Sequence, residues 1–304
     1  NNSEYYHMVD AYLSYDNTFN HHHIRGLVGF NYEQDYQKNL YSTMMDIQSN
    51  NLNDFNLGNH TEGVSLEGGQ YEWALESFFG RVGYEFAGRY LLQGSLRADA
   101  ADLSLLPSTN RWGYFPAVSA GWTLSEEEFF APLKHQVSSL KLRASWGQNG
   151  SLAALSNYPY STDMALKGLY PFGTGNYYIN AVAPSSMGND KLKWETSEQI
   201  NIGLDARFLK DRLTVGMDYF NKKTKDLLVN GTTPSLIVGG TTSPMNAGNV
   251  SNKGWEFELG WRDHIGDFHY SLRANLATLT NEVTYVDPSI TRINGVNFHT
   301  STIT

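Results

Sequence analysis

Polar and apolar residues alternate with a period of two along most of this chain. Over 90–99 one face reads Tyr90, Leu92, Gly94, Leu96 and the other Gln93, Ser95, Arg97, Asp99. Over 198–209 the faces are Ile200, Ile202, Leu204, Ala206, Phe208 against Gln199, Asn201, Gly203, Asp205, Arg207. Past Lys210-Asp211 the alternation resumes, with Leu213, Val215, Met217, Tyr219 against Thr214, Gly216, Asp218. This period predicts strands with two unlike faces. Ten segments carry it: 5–16, 21–35, 71–86, 89–100, 111–124, 138–149, 191–209, 212–227, 251–263 and 268–284. Many exceed the ~5–6 residues of an ordinary strand.

The connections alternate too. Those at 17–20, 87–88, 210–211 and 264–267 are short, and the intervening ones at 36–70, 101–110, 150–190 and 228–250 are long. The connection at 125–137 belongs to the short set. It reads as a helical turn capped by Ser125, with Glu128 at the capping-box position. An up-and-down meander built this way puts every short turn at one end and every long loop at the other. Outer-membrane barrels have that asymmetry.

Alternation by itself leaves two assignments open. A soluble sheet rests its apolar face on a core and wets the other; a membrane barrel turns the apolar face to lipid and the polar face to a lumen. Aromatic placement favours the second. Trp112 and Trp122 share a face ten residues apart. At ~3.3 Å per residue and ~40° tilt they span about 25 Å, the height of a barrel's apolar band. Tyr84, Phe86, Tyr90 and Phe208 gather at the short-turn end, with Trp194 and Trp255 toward the other. Tyr84, Phe86, Tyr90, Trp112, Trp122, Phe208 and Trp255 are therefore expected as membrane-girdle residues. The opposite face is too charged for a small packed interior. Arg97, Asp99, Arg143, Asp205 and Arg207 are its lumen- or plug-facing candidates.

Composition narrows the class further. The chain has 304 residues, net charge −9, 13% aromatics and no cysteine. Disulfides and cysteine-held metals are excluded. The ~18 apolar residues of a spanning helix occur in no single run. The acidic balance argues against nucleic acid as a partner, and the opening NNSEYY lacks the basic start and apolar run of a signal peptide.

Little in the chain suggests covalent chemistry. His21 and His23 could share a strand face, but no third metal ligand is in view. Glu126, Glu127 and Glu128 suit the first turn of a short helix. Glu195 and Glu198 have no specified partner, and GxSxG, HExxH and P-loop patterns are missing. No catalytic, metal or cofactor residue is assigned. The long loops are the best binding ground, since loops on rigid scaffolds carry recognition. Tyr158, Tyr160, Tyr170, Phe172, Tyr177 and Tyr178 are the ligand or partner candidates there.

Several stretches carry a resemblance to a known family. FFGRVGYEFAGRYLLQGSLRAD (78–99), NRWGYFPAVSAGWTLSEEEFF (110–130), LKLRASWGQNG (140–150), LKWETSEQINIGLDARFLKDRLTVGMDYFNKKTKDLL (192–228) and NAGNVSNKGWEFEL (246–259) resemble, in order, motifs of the SusC/RagA family of TonB-dependent outer-membrane transporters. The pattern is departed from at AADLSLLPST (100–109), where the family usually has Gly-Ser-Ser-Arg-Phe, and at Ala117 in place of Ser. The resemblance implies an all-β, antiparallel, up-and-down barrel of about 22 strands holding a plug. It implies import of oligosaccharides or peptides with a SusD-like surface lipoprotein and energy from TonB, in an outer membrane of lipid and lipopolysaccharide. Ten strands cannot close so wide a barrel, and open edges are not tolerated in lipid. The expectation is a segment of a larger polypeptide, with plug and remaining strands outside it. A secreted β-rich carbohydrate-binding module and a passive porin are the alternatives.

Overall fold

A computed structural model describes residues 2–47, 51, 54–58, 64–155, 157–172, 177–230, 240–288, 290, 292–293 and 296–297. In chain order its strands are β1 (Asn2–Phe19), β2 (His22–Thr43), β3 (Ser65–Phe86), β4 (Tyr90–Ala101), β5 (Trp112–Thr123) and β6 (Val137–Ser151). There follow β7 (Met164–Phe172), β8 (Tyr177–Pro184), β9 (Ser186–Met187), β10 (Glu195–Phe208) and β11 (Leu213–Asn230). The last are β12 (Thr241–Thr242), β13 (Pro244–Ile265), β14 (Phe268–Ala277), β15 (Thr280–Val286), β16 (Arg292–Ile293) and β17 (Val296–Asn297).

One sheet contains all ten predicted strands, in the order β1-β2-β3-β4-β5-β6-β10-β11-β13-β14, with β15 also on β13. Every pairing in it is antiparallel between neighbours. The sheet is open: among the described residues β1 and β14 do not pair with each other. The segment predicted as one strand over 268–284 is two, because the chain steps out of the ladder at Thr278, whose N–H still reaches Trp255 O at 2.8 Å.

The short turns work because their backbones enter left-handed space. Between β3 and β4, Ala87 and Gly88 have φ of 53° and 70°. Positive φ at successive turn positions matches the twist of a tight hairpin, and glycine adopts it without the Cβ penalty. At 125–137 the predicted cap is not formed. Two 3-10 segments, Leu124–Glu126 and Glu128–Leu133, follow Thr123 and Glu127 with no side-chain cap bond, and Ser125 is buried instead.

The long-loop end differs more from expectation. Strands β2 and β3 run on as a continuous hairpin to Thr43↔Ser65, taking in both ends of the segment read as loop 36–70. Strands β11 and β13 likewise pair up to Asn230↔Pro244. The segment 150–190 contains the β7-β8 hairpin. Alternation had marked where each strand crosses the apolar band, and hydrogen bonding carries the strands past it.

Register fixes the two faces. Tyr84, Leu92, Ala120, Ala144, Ile202, Tyr219 and Trp255 form one row across seven strands. On that apolar face Leu92, Leu96, Val82, Ile202, Leu259 and Leu272 are exposed. Among the described residues a small cluster of buried apolar side chains lies at the long-loop end: Ala101, Leu106, Leu192 and Leu228, with Leu75, Leu105, Leu152, Leu155, Tyr160 and Trp194 against it. A sheet with its apolar face bare and its small core at one rim is built for an apolar solvent on that face.

Candidate functional site

The polar face holds the predicted charged residues, and the structure joins some of them. Arg143 on β6 donates through Nε to Asp205 Oδ2 at 2.9 Å and through Nη2 to Asp205 Oδ1 at 3.2 Å. Its Nη2 also donates to Asp218 Oδ2 on β11 at 2.6 Å. The guanidinium spans three strands because Gly203 lies between them. A Cβ there would come within 2.6 Å of Arg143 Cζ and 2.5 Å of Asp218 Oδ1. Arg97 makes a separate cluster on β4, with Nη2 donating to Ser77 Oγ at 2.7 Å and its guanidinium 5.5 Å over the Phe79 ring. Its Nε lies 2.7 Å from Asp99 Oδ1. Arg207 stands apart, 4.0 Å from Asp211 at a short turn. Between the clusters Gln93, Ser119, Ser145 and Asn201 line one concave stretch together with Arg25 and Lys141. Asp218 lies on the predicted polar face, but register alone makes it the third member of the Arg143 clamp.

The short-turn end is tied down by one carboxylate. Glu127 Oε1 accepts from Trp122 Nε1 at 2.9 Å and Oε2 from Arg89 Nη1 at 3.1 Å. The Tyr90 hydroxyl also bonds to it. These hydrogen bonds, Tyr90's first and then Trp122's, hold the Glu127 carboxyl below the usual carboxylate range, with burial opposing and Arg89 adding its charge. Tyr90 and Trp122 stack at 6.3 Å. The carboxylate expected to serve a helix dipole instead receives the polar ends of two aromatics. Nearby, His22 Nδ1 lies 2.7 Å from the Tyr84 hydroxyl and His23 Nε2 2.7 Å from Asp16 Oδ1.

The long-loop end is tied down by a clasp of backbone-directed side chains. A bulge at Asp226, φ 56°, shifts the β11-β13 register and turns Leu228 into the small core. That leaves backbone groups to satisfy. Asn246 Nδ2 donates to Asp226 O at 2.8 Å and Lys193 O at 2.9 Å, and its Oδ1 accepts from Lys193 N–H at 3.0 Å. Asn249 Oδ1 accepts the Asp226 N–H at 3.0 Å, and Glu195 Oε2 the Leu228 N–H at 3.1 Å. Lys193 Nζ pairs with Asp226 at 2.9 Å. Leu192 is fully buried. Trp194, expected toward the long-loop end, turns to the polar face: its Nε1 donates to Arg111 O at 3.0 Å and its ring meets Phe115 edge-on at 5.5 Å. The polar face of β5 carries Phe115, so packing decides the side where tryptophan content could not.

The departing loop, AADLSLLPST, folds into this clasp. Leu106 and Ser104 are buried, and the Tyr160 hydroxyl donates to Leu103 O. Tyr158 is held at φ 52° with its N–H on Ser104 O at 2.6 Å, and its ring is half exposed beside Tyr160. Tyr170 is exposed on β7. Phe172, Tyr177 and Tyr178 join the same hairpin by backbone pairing, and their side chains lie outside the described part.

The aromatic rings form two belts on the apolar face. At the short-turn end His22, Phe86, Tyr90 and Trp122 follow one another at 4.9–6.3 Å. Toward the long-loop end run Phe30, Phe78, Trp112 and Tyr114, at 5.1–6.5 Å, and farther along Tyr219, Trp255 and Phe257 at 5.0–6.2 Å. Tyr84 and Phe208 lie on the same face near the short-turn end.

Comparison with protein families matches residues 1–304 to the family described as TonB dependent receptor-like, beta-barrel. The chain belongs to that family. The TonB-dependent receptor P3 of Formosa agariphila is 30% identical over 91% of the chain and 27% of its own length. The TonB-dependent receptor SusC of Bacteroides thetaiotaomicron is 35% identical over 69% of the chain and 21% of its own. Among solved structures, that of the RagAB peptide transporter superposes with a TM-score of 0.81 at 22% identity, over 95% of this chain and 31% of that one. The chain thus spans about a quarter of the curated relatives it matches, and the open sheet is one arc of a TonB-dependent receptor barrel. The apolar face between the belts meets outer-membrane lipid, the polar face the lumen. In this barrel the short turns are periplasmic and the clasp extracellular.

Proposed function

We propose that this chain supplies the wall and part of the extracellular mouth of a TonB-dependent importer of oligosaccharides or peptides. The importer takes substrate from a SusD-like surface lipoprotein and is driven by TonB through a plug outside the chain. One observation supports it most: a next-neighbour antiparallel arc with lipid-type belts outside, a charged inner face and a rigid extracellular clasp, in a chain of this receptor family. The relatives supporting the partner and substrate classes are SusC and the RagAB peptide transporter. No covalent step is assigned to these residues. They hold a wall, present loop aromatics such as Tyr158 and Tyr160, and offer Arg97, Asp99, Arg143, Asp205 and Arg207 toward a plug.

Uptake tests the reading. Cells carrying the full-length protein are given labelled oligosaccharides and labelled peptides, with and without functional TonB. Uptake of one class that vanishes without TonB supports the importer. Uptake that persists without TonB replaces it with a passive porin.

A further inference from the structure

Two successive rows of the polar face carry no charge. The lower joins Gln93, Ser119, Ser145 and Asn201 across β4, β5, β6 and β10. The upper joins Ser95, Ala117, Gly147 and Gln199 on the same strands. A Cβ on Gly147 would come within 2.9 Å of the Ala117 Cβ, so the glycine keeps the upper row shallow. Ala117 is also the place where the family motif has serine. Two concavities of about 320 and 280 Å³ share the lower row. One continues toward Gly121 and Lys141, the other toward Asn149. Together they trace one groove along the strands, from the short-turn side to the long-loop side.

This neutral window is framed by charge. Arg81, opposite Ser95, and Lys222, opposite Gln199, close the upper row at its two ends. Arg97 stands above the window and Arg143 below it, each already matched by aspartate. Arg81, Lys222 and Lys141 have no ion-pair partner among the described residues. Inside the frame the side chains are sparingly bonded. Gln199 Nε2 donates to Asn201 Oδ1 at 2.9 Å, and Asn201 Nδ2 to Ser145 Oγ at 3.4 Å. The side chains of Gln93, Ser95 and Ser119 hold no hydrogen bond among the described residues.

We infer that this window is the sector of wall along which solute passes, between wall and plug, and that the charged frame around it fastens the plug. The inference rests on the importer reading above. A passage must hold its solute at several sites, each weakly enough to release it. Neutral amides and hydroxyls do this, because each exchanges its hydrogen bond with water at small net cost. A fixed charge would trap an opposite charge or repel a like one. The solute class favoured is an uncharged chain rich in hydroxyl or amide groups. Arg81, Lys222 and Lys141 suit carboxylates of a plug, which stays fastened on either side while the window opens.

The chain brings no cysteine, so one introduced thiol reports by itself once any elsewhere in the full-length receptor is replaced. Ser145→Cys is set in the window. Gly216→Cys is set in the charged sector, where a Cβ meets Glu258 at an ordinary 3.5 Å. Cells transporting substrate are treated from outside with a maleimide too large for porins. Ser145→Cys is expected to label at least five-fold faster with functional TonB than without, and Gly216→Cys at one rate in both. A smaller gain at Ser145→Cys overturns the inference. So does a gain of that size at Gly216→Cys, which would mean that the plug leaves as a whole. Ser119→Trp narrows the groove and is expected to lower TonB-dependent uptake at least five-fold at equal receptor in the outer membrane; a smaller loss also overturns the window. Should Ser119→Trp fail to reach the membrane, the near-isosteric Ser145→Cys still decides. The importer reading fails separately, if wild-type uptake needs no TonB.

Discussion

The two ends of this arc are held by opposite means. At the short-turn end one connection is anchored to the wall by one carboxylate, Glu127, which receives the polar tips of the stacked aromatics Tyr90 and Trp122 together with Arg89. At the extracellular end long segments are anchored by buried Leu192 and Leu106 and by amides that satisfy a bulged backbone. The turn at 124–136 buries Phe130 and holds itself in two short 3-10 segments, so Glu127 has mainly to orient it. A connection of tens of residues must bury apolar surface to stay ordered.

Deleting apolar packing at the clasp tests the comparison most strongly. Leu192→Ala in the full-length protein is expected to destabilise the extracellular end by about 2–5 kcal/mol. Limited proteolysis of intact cells would read this as new cleavage within 100–110 and 150–195. If cleavage stays at the wild-type rate, the small core is not what orders the loops. Asn246→Ala comes next. It leaves the Asp226 and Lys193 carbonyls without a donor, for about 1–3 kcal/mol each if they stay dry. Here the check is the thermal midpoint of the detergent-solubilised receptor, which should fall with Asn246→Ala and at least as far with Asn246→Asp, whose carboxylate keeps the Lys193 N–H but donates to neither carbonyl.

Between the ends, Gly203→Val places a side chain where Arg143 crosses to Asp218. The ion pairs are partly exposed, so the loss is about 1 kcal/mol or less. The expected readout is local: faster hydrogen exchange of β10 and β11, with folding and membrane insertion intact. Unchanged exchange would mean the arginine clamp does not couple the strands.

The smallest effect belongs to Glu127. Its carboxyl titrates below the usual range in the folded turn. Its stabilising bonds are therefore present above the ordinary glutamate value of ~4.3 and lost as pH falls through the lowered one. Acid is expected to loosen the 124–135 turn, seen as a change in Trp122 fluorescence below about pH 4. Glu127→Gln should abolish that acid transition while leaving the clasp untouched. A transition that survives the substitution belongs to another group.

Much of the wall was legible from particular residues. The Tyr90-to-Leu96 alternation, the Trp112–Trp122 interval and the short-long order of connections are local patterns, and a strand in lipid has to display them because its two faces meet different solvents. Long-range choices were not legible. Ser125 looked like a cap and is a buried hydroxyl; Trp194, placed only toward the long-loop end, packs on Phe115. Asp218, Asn246 and Glu195 gain their partners only through cross-strand register and a bulge at Asp226. By itself, then, the sequence determined the strands of the sheet, their apolar and polar faces and their order of connection. The tertiary structure decided which charges meet and how the loops are held, because those contacts join residues from 20 to more than 80 positions apart. Their geometry exists only once register and bulge are set.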